Sequence, residues 1–289
     1  MQSYASLADF LKRGRAELKK GPIALVFAED DVVLSATIEH LSTKGFAKVI
    51  VLLGPGVPQP ARIEALNAVI VRDVPTDRPE LPQAVTRIQA AAPDGTWFHW
   101  CYNAEFLFYP FSEHRQIGEM LSFHSEERRP AMIGFAIDLY APDLTKGGVD
   151  LHSAMLDRSG YYALSRSGPD GQTLDRQMDF FGGLRRRFEE HVPYDRRRID
   201  RVALFRSRTK GLEMRPDGTF SEDEYNTYQC PWHHNLTCTL VSFRAAKALT
   251  QNPGSRRAIK TFCWHNSVPF EWSSRQLMDL GLMEPGQWF

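Results

Sequence analysis

The sequence lacks a glycine-rich phosphate loop. Neither GxGxxG nor GxxxxGK[ST] occurs, which sets aside the dinucleotide fingerprint and the ATP-hydrolysing P-loop class. It also lacks an excess of charge: 35 Lys plus Arg balance 35 Asp plus Glu, so no nucleic-acid footprint is expected. Cysteine is sparse. Cys101, Cys230, Cys238 and Cys263 form no CxxC pair, which argues against a finger-type zinc site and for free thiols in a reducing compartment. No apolar run approaches the roughly 18 residues of a membrane span, and the uninterrupted apolar centre of a secretory signal is missing. The expectation is a cytoplasmic chain with no transmembrane segment. At 289 residues it can bury a large core without disulfides or a structural metal.

What the sequence does have is alternation. Leu7, Phe10, Leu11 and Leu18, among Lys12, Arg13, Arg15, Lys19 and Lys20, give residues 1–20 an amphipathic, basic pattern. Such a helix either lies on a membrane surface as a peripheral contact or packs one face onto the domain; the second reading is favoured. Ile23 to Phe27 then reads as a buried strand ending in Glu29, Asp30 and Asp31. Leu34, Ile38 and Leu41 recur at helical spacing before Gly45. Val49 to Leu53 is a second strand, Ile63 to Leu66 a short helix, and Ala68 to Val71 a third strand leading to Asp73. A helix carrying Leu81, Val85, Ile88 and Ala92, with Asp77 available to cap it, precedes a fourth strand from Trp97 to Trp100. This rhythm implies right-handed crossovers and a parallel sheet. Ligands of such sheets bind beyond the carboxyl ends of the strands, where these acids and Glu105 lie.

The remainder is less regular. A polar helix from Glu113 to Arg128 leads to an apolar strand, Ala131 to Tyr140, that carries Asp138. Residues 142–180 read as a long, partly irregular excursion. Val202 to Phe205 and Leu240 to Phe243 are further strands, and the tail from Ala245 reads as helices broken at Asn252-Pro253 and Val268-Pro269. A Trp288-Phe289 end is expected to fold back or to meet a partner chain.

Three segments in this order carry a resemblance. IALVFAEDDVVLSATIEHLSTKGFAKVIVLL resembles the opening of family 2-type glycosyltransferases of the GT-A fold. TWFHWCYNAEFLFYP resembles the strand bearing their Asp-x-Asp-Glu-Phe motif. FFGGLRRRF is similar to the Gly-Gly-x-Arg-x-Arg stretch of a bacterial branch, followed by RVALFR and the His-rich CPWHHNLTCTLVSFR. The likeness spans residues 22 to 245. It implies an α/β, GT-A-like three-layer sandwich with a mostly parallel central sheet and an irregular C-terminal half. One domain over 1–289 is expected, with an N-terminal helix (1–20), a nucleotide-binding half (21–140) and an acceptor-side half with C-terminal helices (141–289).

The implied function is transfer of a sugar from a UDP- or GDP-linked donor to a glycan, lipid-linked or other hydroxyl acceptor, in the setting of bacterial surface or exopolysaccharide synthesis. Glu29, Asp30 and Asp73 are expected near base and ribose, with Asn103, Arg185 and Arg187 on the donor. Tyr102 and Ala104 stand where the family's metal-binding aspartates fall. Three outcomes stay open. Glu105 with His233 or His234 holds Mn²⁺ or Mg²⁺; arginines 185, 186 and 187 replace the metal; or catalysis is lost and a nucleotide- or glycan-binding scaffold remains. Asp138 and Glu271 are the candidate general bases beside Glu105. Plainer readings stand next to these: Asp31 as a helix cap, the arginines as a solvated face, Asp138 as a paired structural acid. Glu105 is the strongest candidate, because an acid just past the fourth strand has the least structural reason to be there.

Overall fold

A computed structural model describes residues 2–60, 68–77, 80–231 and 234–288. The expected helix at Ile63–Leu66, as well as Trp232, His233 and Phe289, lie outside the described residues. The chain forms two compact units. The first comprises residues 1–106, 114–133 and 202–226, and the second 107–113, 134–201 and 227–289.

In the first unit, β1 (Ser3–Tyr4), β2 (Ile23–Ala28), β3 (Lys48–Leu53), β4 (Ala68–Val71) and β5 (Trp97–Tyr102) run parallel in the spatial order β1-β4-β3-β2-β5. All six residues of β2 are buried, as expected of a strand covered on both faces. The strand Asp200–Arg206 adds to β5 antiparallel, pairing Phe205 with Phe98, so the sheet is mixed. Helices α1 (Leu7–Arg13), α2 (Leu34–Thr43), α3 (Glu80–Ala90) and α4 (Ile117–Glu126) accompany it. α2 buries Leu34, Ile38 and Leu41, and α3 buries Leu81, Val85 and Ile88, the faces their spacing predicts. α4 is shorter than the expected 113–128 because Gln116 and Glu119 form a capping box at its start. The N-terminal pattern is two pieces: α1 ends at Gly14, and a 3₁₀ turn follows over Arg15–Leu18. Its apolar face packs inward, with Phe10 and Leu18 fully buried.

The second unit contains β6 (Glu105–Phe108) only in part. β7 (Ala131–Tyr140), β8 (Met155–Asp157), β9 (Tyr162–Ser167) and β10 (Thr173–Phe181) follow. Then come the short helix α5 (Gly183–Arg187), the strand Asp200–Arg206 of the first unit (β11), β12 (Cys238–Ser242), α6 (Arg244–Gln251), β13 (Ser267–Pro269) and α7 (Ser274–Asp279). β12 lies parallel to β7, setting Ser242 opposite Asp138. One expectation is made more specific and one is corrected. The partly irregular stretch 142–180 includes β8, β9 and β10, the last two forming an antiparallel pair. Val268-Pro269 does not break a helix but sits in β13, paired antiparallel with β8. Trp288 folds back: it is buried, with its ring 6.4 Å from Tyr109 and 5.9 Å from Phe111. Among the described residues, no helix is long and apolar enough to cross a membrane.

Candidate functional site

Chain order and spatial order part company beside β2. β3 and β4 continue to one side of it and β5 lies on the other, which makes the carboxyl ends of β2 and β5 a topological switch point. Glu29, Asp30 and Asp31 leave β2 there, and Asn103 leaves β5. Asn103 is fully buried and ties the two ends together. Its Oδ1 accepts from the Glu29 amide at 2.9 Å, and its Nδ2 donates to Asp30 Oδ1 at 2.6 Å and to the Val32 carbonyl at 3.1 Å. Asp30 Oδ1 also accepts the Val32 amide at 3.0 Å. Glu29 and Asp31 are left solvent-exposed and Asp30 half-buried. Asp31 does not cap α2. The N-cap is Val33, with no side-chain capping bond, while the Asp31 carbonyl accepts from Leu34. Register places Leu53 beside Ala28 and Val71 beside Leu52, so Asp73, exposed with φ +51°, stands two strands from Glu29 on the same edge.

Glu105 is corrected. Ala104, at φ +63°, turns the chain back, with its amide held by Thr37 Oγ1 at 3.0 Å. Glu105 Oε2 thereby accepts the Tyr102 amide at 2.9 Å, and the residue is 0% exposed. It has a structural reason to be there, since it closes the β5–β6 turn. The site fits a divalent cation poorly, because Tyr102 and Ala104 supply no hard oxygen ligand beside the buried Glu105. Among the described residues, no three His, Cys, Asp or Glu side chains could hold a metal. His234, in the second unit, shows its amide bonded to the Pro231 carbonyl; His233 is outside the described residues.

In the second unit, the Gly-Gly-x-Arg-x-Arg stretch builds a charged core. Gly182 has no room for a side chain: a Cβ would sit 2.1 Å from the Tyr161 ring. Gly183, at φ +63°, would place one 2.8 Å from Asp138 Oδ2. This close approach lets α5 start against β7. Asp138 then accepts the Arg185 amide and Arg185 Nε, both at 3.2 Å. Two residues on, Arg187 Nη1 reaches both oxygens of Asp157, at 3.0 and 3.1 Å, and Nη2 donates to the Phe262 carbonyl at 2.6 Å. Asp157 Oδ1 also accepts Tyr140 OH at 2.5 Å and Trp264 Nε1 at 2.7 Å, while Tyr140 OH contacts Ser267 Oγ at 2.6 Å. Burial pushes the Asp138 carboxyl up, opposed by the adjacent Arg185 guanidinium. Burial raises the Tyr140 and Tyr161 hydroxyls too, reinforced at each by Asp157.

Arg185 and Arg187 are therefore neither a solvated face nor open phosphate ligands as placed, because each is committed to a buried acid. Arg186 points outward and pairs with Glu189. Of the two candidate bases in this unit, Asp138 is 1% exposed, whereas Glu271 is exposed, its amide held by Gln276 Oε1 at 2.9 Å. Asp157, Tyr140 and Trp264 did not stand out in the sequence. The one available signal was an acid directly after the apolar pair Met155-Leu156, and its partner Trp264 lies 107 residues away.

No family model matches the chain, and no curated protein matches it.

Proposed function

We propose that the chain is a glycosyltransferase of the GT-A type that binds the nucleotide of a sugar donor at the β2–β5 switch point. The observation that carries this reading is the pairing of exposed Glu29 and half-buried Asp30 with a strand end made rigid by Asn103. Carboxylates at the carboxyl edge of parallel strands accept hydrogen bonds from base N–H and ribose hydroxyl groups, and they repel phosphate. The edge is thus suited to the nucleoside end of a donor. Sugar transfer itself rests on the resemblance in the sequence.

In this reading the acceptor hydroxyl oxygen bonds to the anomeric carbon as the bond to the diphosphate breaks. The hydroxyl proton passes to a carboxylate, and the nucleoside diphosphate leaves. Of the two carboxylates expected in that role, Glu271 is exposed, whereas Asp138 is enclosed by Arg185 and Gly183. No step is assigned to a metal, given the donor set around Glu105.

The test is calorimetric titration with UDP, GDP and CDP, each with and without Mn²⁺, on the native chain and on Glu29→Gln. One nucleoside diphosphate should bind, about tenfold or more weaker to Glu29→Gln, as expected for a hydrogen bond to a charged acceptor. Failure of all three to bind under either condition refutes the nucleotide site and leaves a scaffold of this fold as the reading.

A further inference from the structure

The amphipathic pattern at residues 7–20 has one half unexplained by packing. Phe10 and Leu18 are 0% exposed, and Leu7 and Leu11 pack against the same core. Gly14 permits this compactness, since a Cβ there would lie 2.5 Å from the Phe10 ring. With the apolar side turned in, the two short turns present Lys12, Arg13, Arg15, Lys19 and Lys20 outward, all of them exposed. The acids in the segment are already engaged: Asp9 pairs with Arg13, and Glu17 pairs with Lys48 at 3.0 Å. Lys12 also acts on Asp9, after Arg13, and among the described residues Lys19 and Lys20 make no ion pair. In a chain whose charges balance overall, five exposed cations thus fall within nine residues of chain, about 12–16 Å at the rise of α- or 3₁₀-helix.

We propose that this surface docks on an anionic bilayer by electrostatics alone. A membrane fits better than a small anion because the exposed cations are strung along nine residues of chain, a span of about one to two Debye lengths at physiological salt. Polybasic surfaces are drawn to anionic headgroups by about fivefold in partition per cation. The inward-facing Phe10 and Leu18 exclude the alternative mode, in which the apolar face of a basic helix is sunk among the acyl chains. Binding of this kind is reversible, steeply salt-dependent, and leaves the fold unchanged. The proposal shares no residue with the nucleotide site, so either can fail without the other.

Sedimentation of the full chain with phosphatidylcholine vesicles containing about a third phosphatidylglycerol, and with pure phosphatidylcholine vesicles, tests it. Cosedimentation is expected only with the anionic vesicles at low salt, and loss of it at about 0.5 M salt. Lys19→Gln and Lys20→Gln should each weaken partition about fivefold, and with Lys12→Gln added the binding should vanish. Lys210→Gln, an exposed lysine elsewhere, should change nothing. Absence of anionic-vesicle binding at low salt overturns the proposal. So does equal binding to neutral vesicles, an equal loss with Lys210→Gln, or tighter binding to single-stranded RNA than to the vesicles.

Discussion

Replacing Asp157 by Asn tests whether α5 is held by its buried charges or merely accompanied by them. Asp157 Oδ1 accepts Tyr140, Trp264 and Arg187, and Oδ2 accepts Arg187 again. An Asn keeps one oxygen, enough for Tyr140 and Trp264, but turns an N–H₂ toward the Arg187 guanidinium. Donor then faces donor, and a mostly enclosed cation loses its counter-charge. Breaking a buried pair from one side costs about 3–5 kcal/mol. The Arg187 side chain is 17% exposed and keeps the Phe262 carbonyl and the face of Trp264, 4.5 Å away. A loss of about 2–4 kcal/mol is therefore expected after allowing for that partial screening. Urea unfolding with a common slope gives the number. The double variant Asp157→Asn, Arg187→Met should cost less than the sum of the two single changes, since it removes the stranded charge with its partner. Asp175→Asn, at an exposed pair with Arg176, is the control and should move stability by well under about 1 kcal/mol. An Asp157→Asn loss below about 1 kcal/mol, or strict additivity in the double variant, refutes the reasoning.

Three further outcomes follow from single residues. Burial, with the neighbouring Arg129 charge second, lowers His124 from 6.5 to about 3. The unfolded chain takes up this proton below pH 6.5 and the folded chain does not, so stability declines as pH falls from 6.5 toward 3. The native chain should lose about 2 kcal/mol more than His124→Gln between pH 7 and pH 5; parallel unfolding curves for the two would show that His124 is not the group responsible. Gly183→Ala meets both a positive φ and the Asp138 carboxylate, and should cost about 1–3 kcal/mol in thermal unfolding; a melting temperature equal to that of the native chain would contradict the tight α5–β7 contact. Glu105→Gln should lower stability by about 1–2 kcal/mol through its turn hydrogen bond and leave nucleoside diphosphate affinity unchanged. A selective loss of affinity at full stability would return Glu105 to the site.

What could be read from the sequence followed what was buried on both sides. β2, β3, β4 and β5 are apolar runs enclosed by the unit, and their expected limits agree with the observed ones to within two residues. The β9–β10 pair was illegible because its residues are mostly exposed or half-exposed, so selection for burial left no period of two in Ser, Arg, Thr and Asp. Glu105 shows a second limit. Its neighbours announce an acid after a strand, but only the left-handed Ala104 reveals that the carboxylate turns back onto the last amide of the preceding strand. The same applies to the arginines of α5. A run of three positive charges reads equally well as a solvated face or a phosphate clamp, and the choice depends on Asp138 and Asp157, which arrive from other strands. Sequence order encodes the partners of a strand poorly, whereas glycine leaves a local trace: Gly182 and Gly183 mark where a backbone had to come close to something large. At this site that something is Tyr161 and Asp138, so the motif's glycines and its arginines serve one purpose, which is to seat α5 on a buried charge.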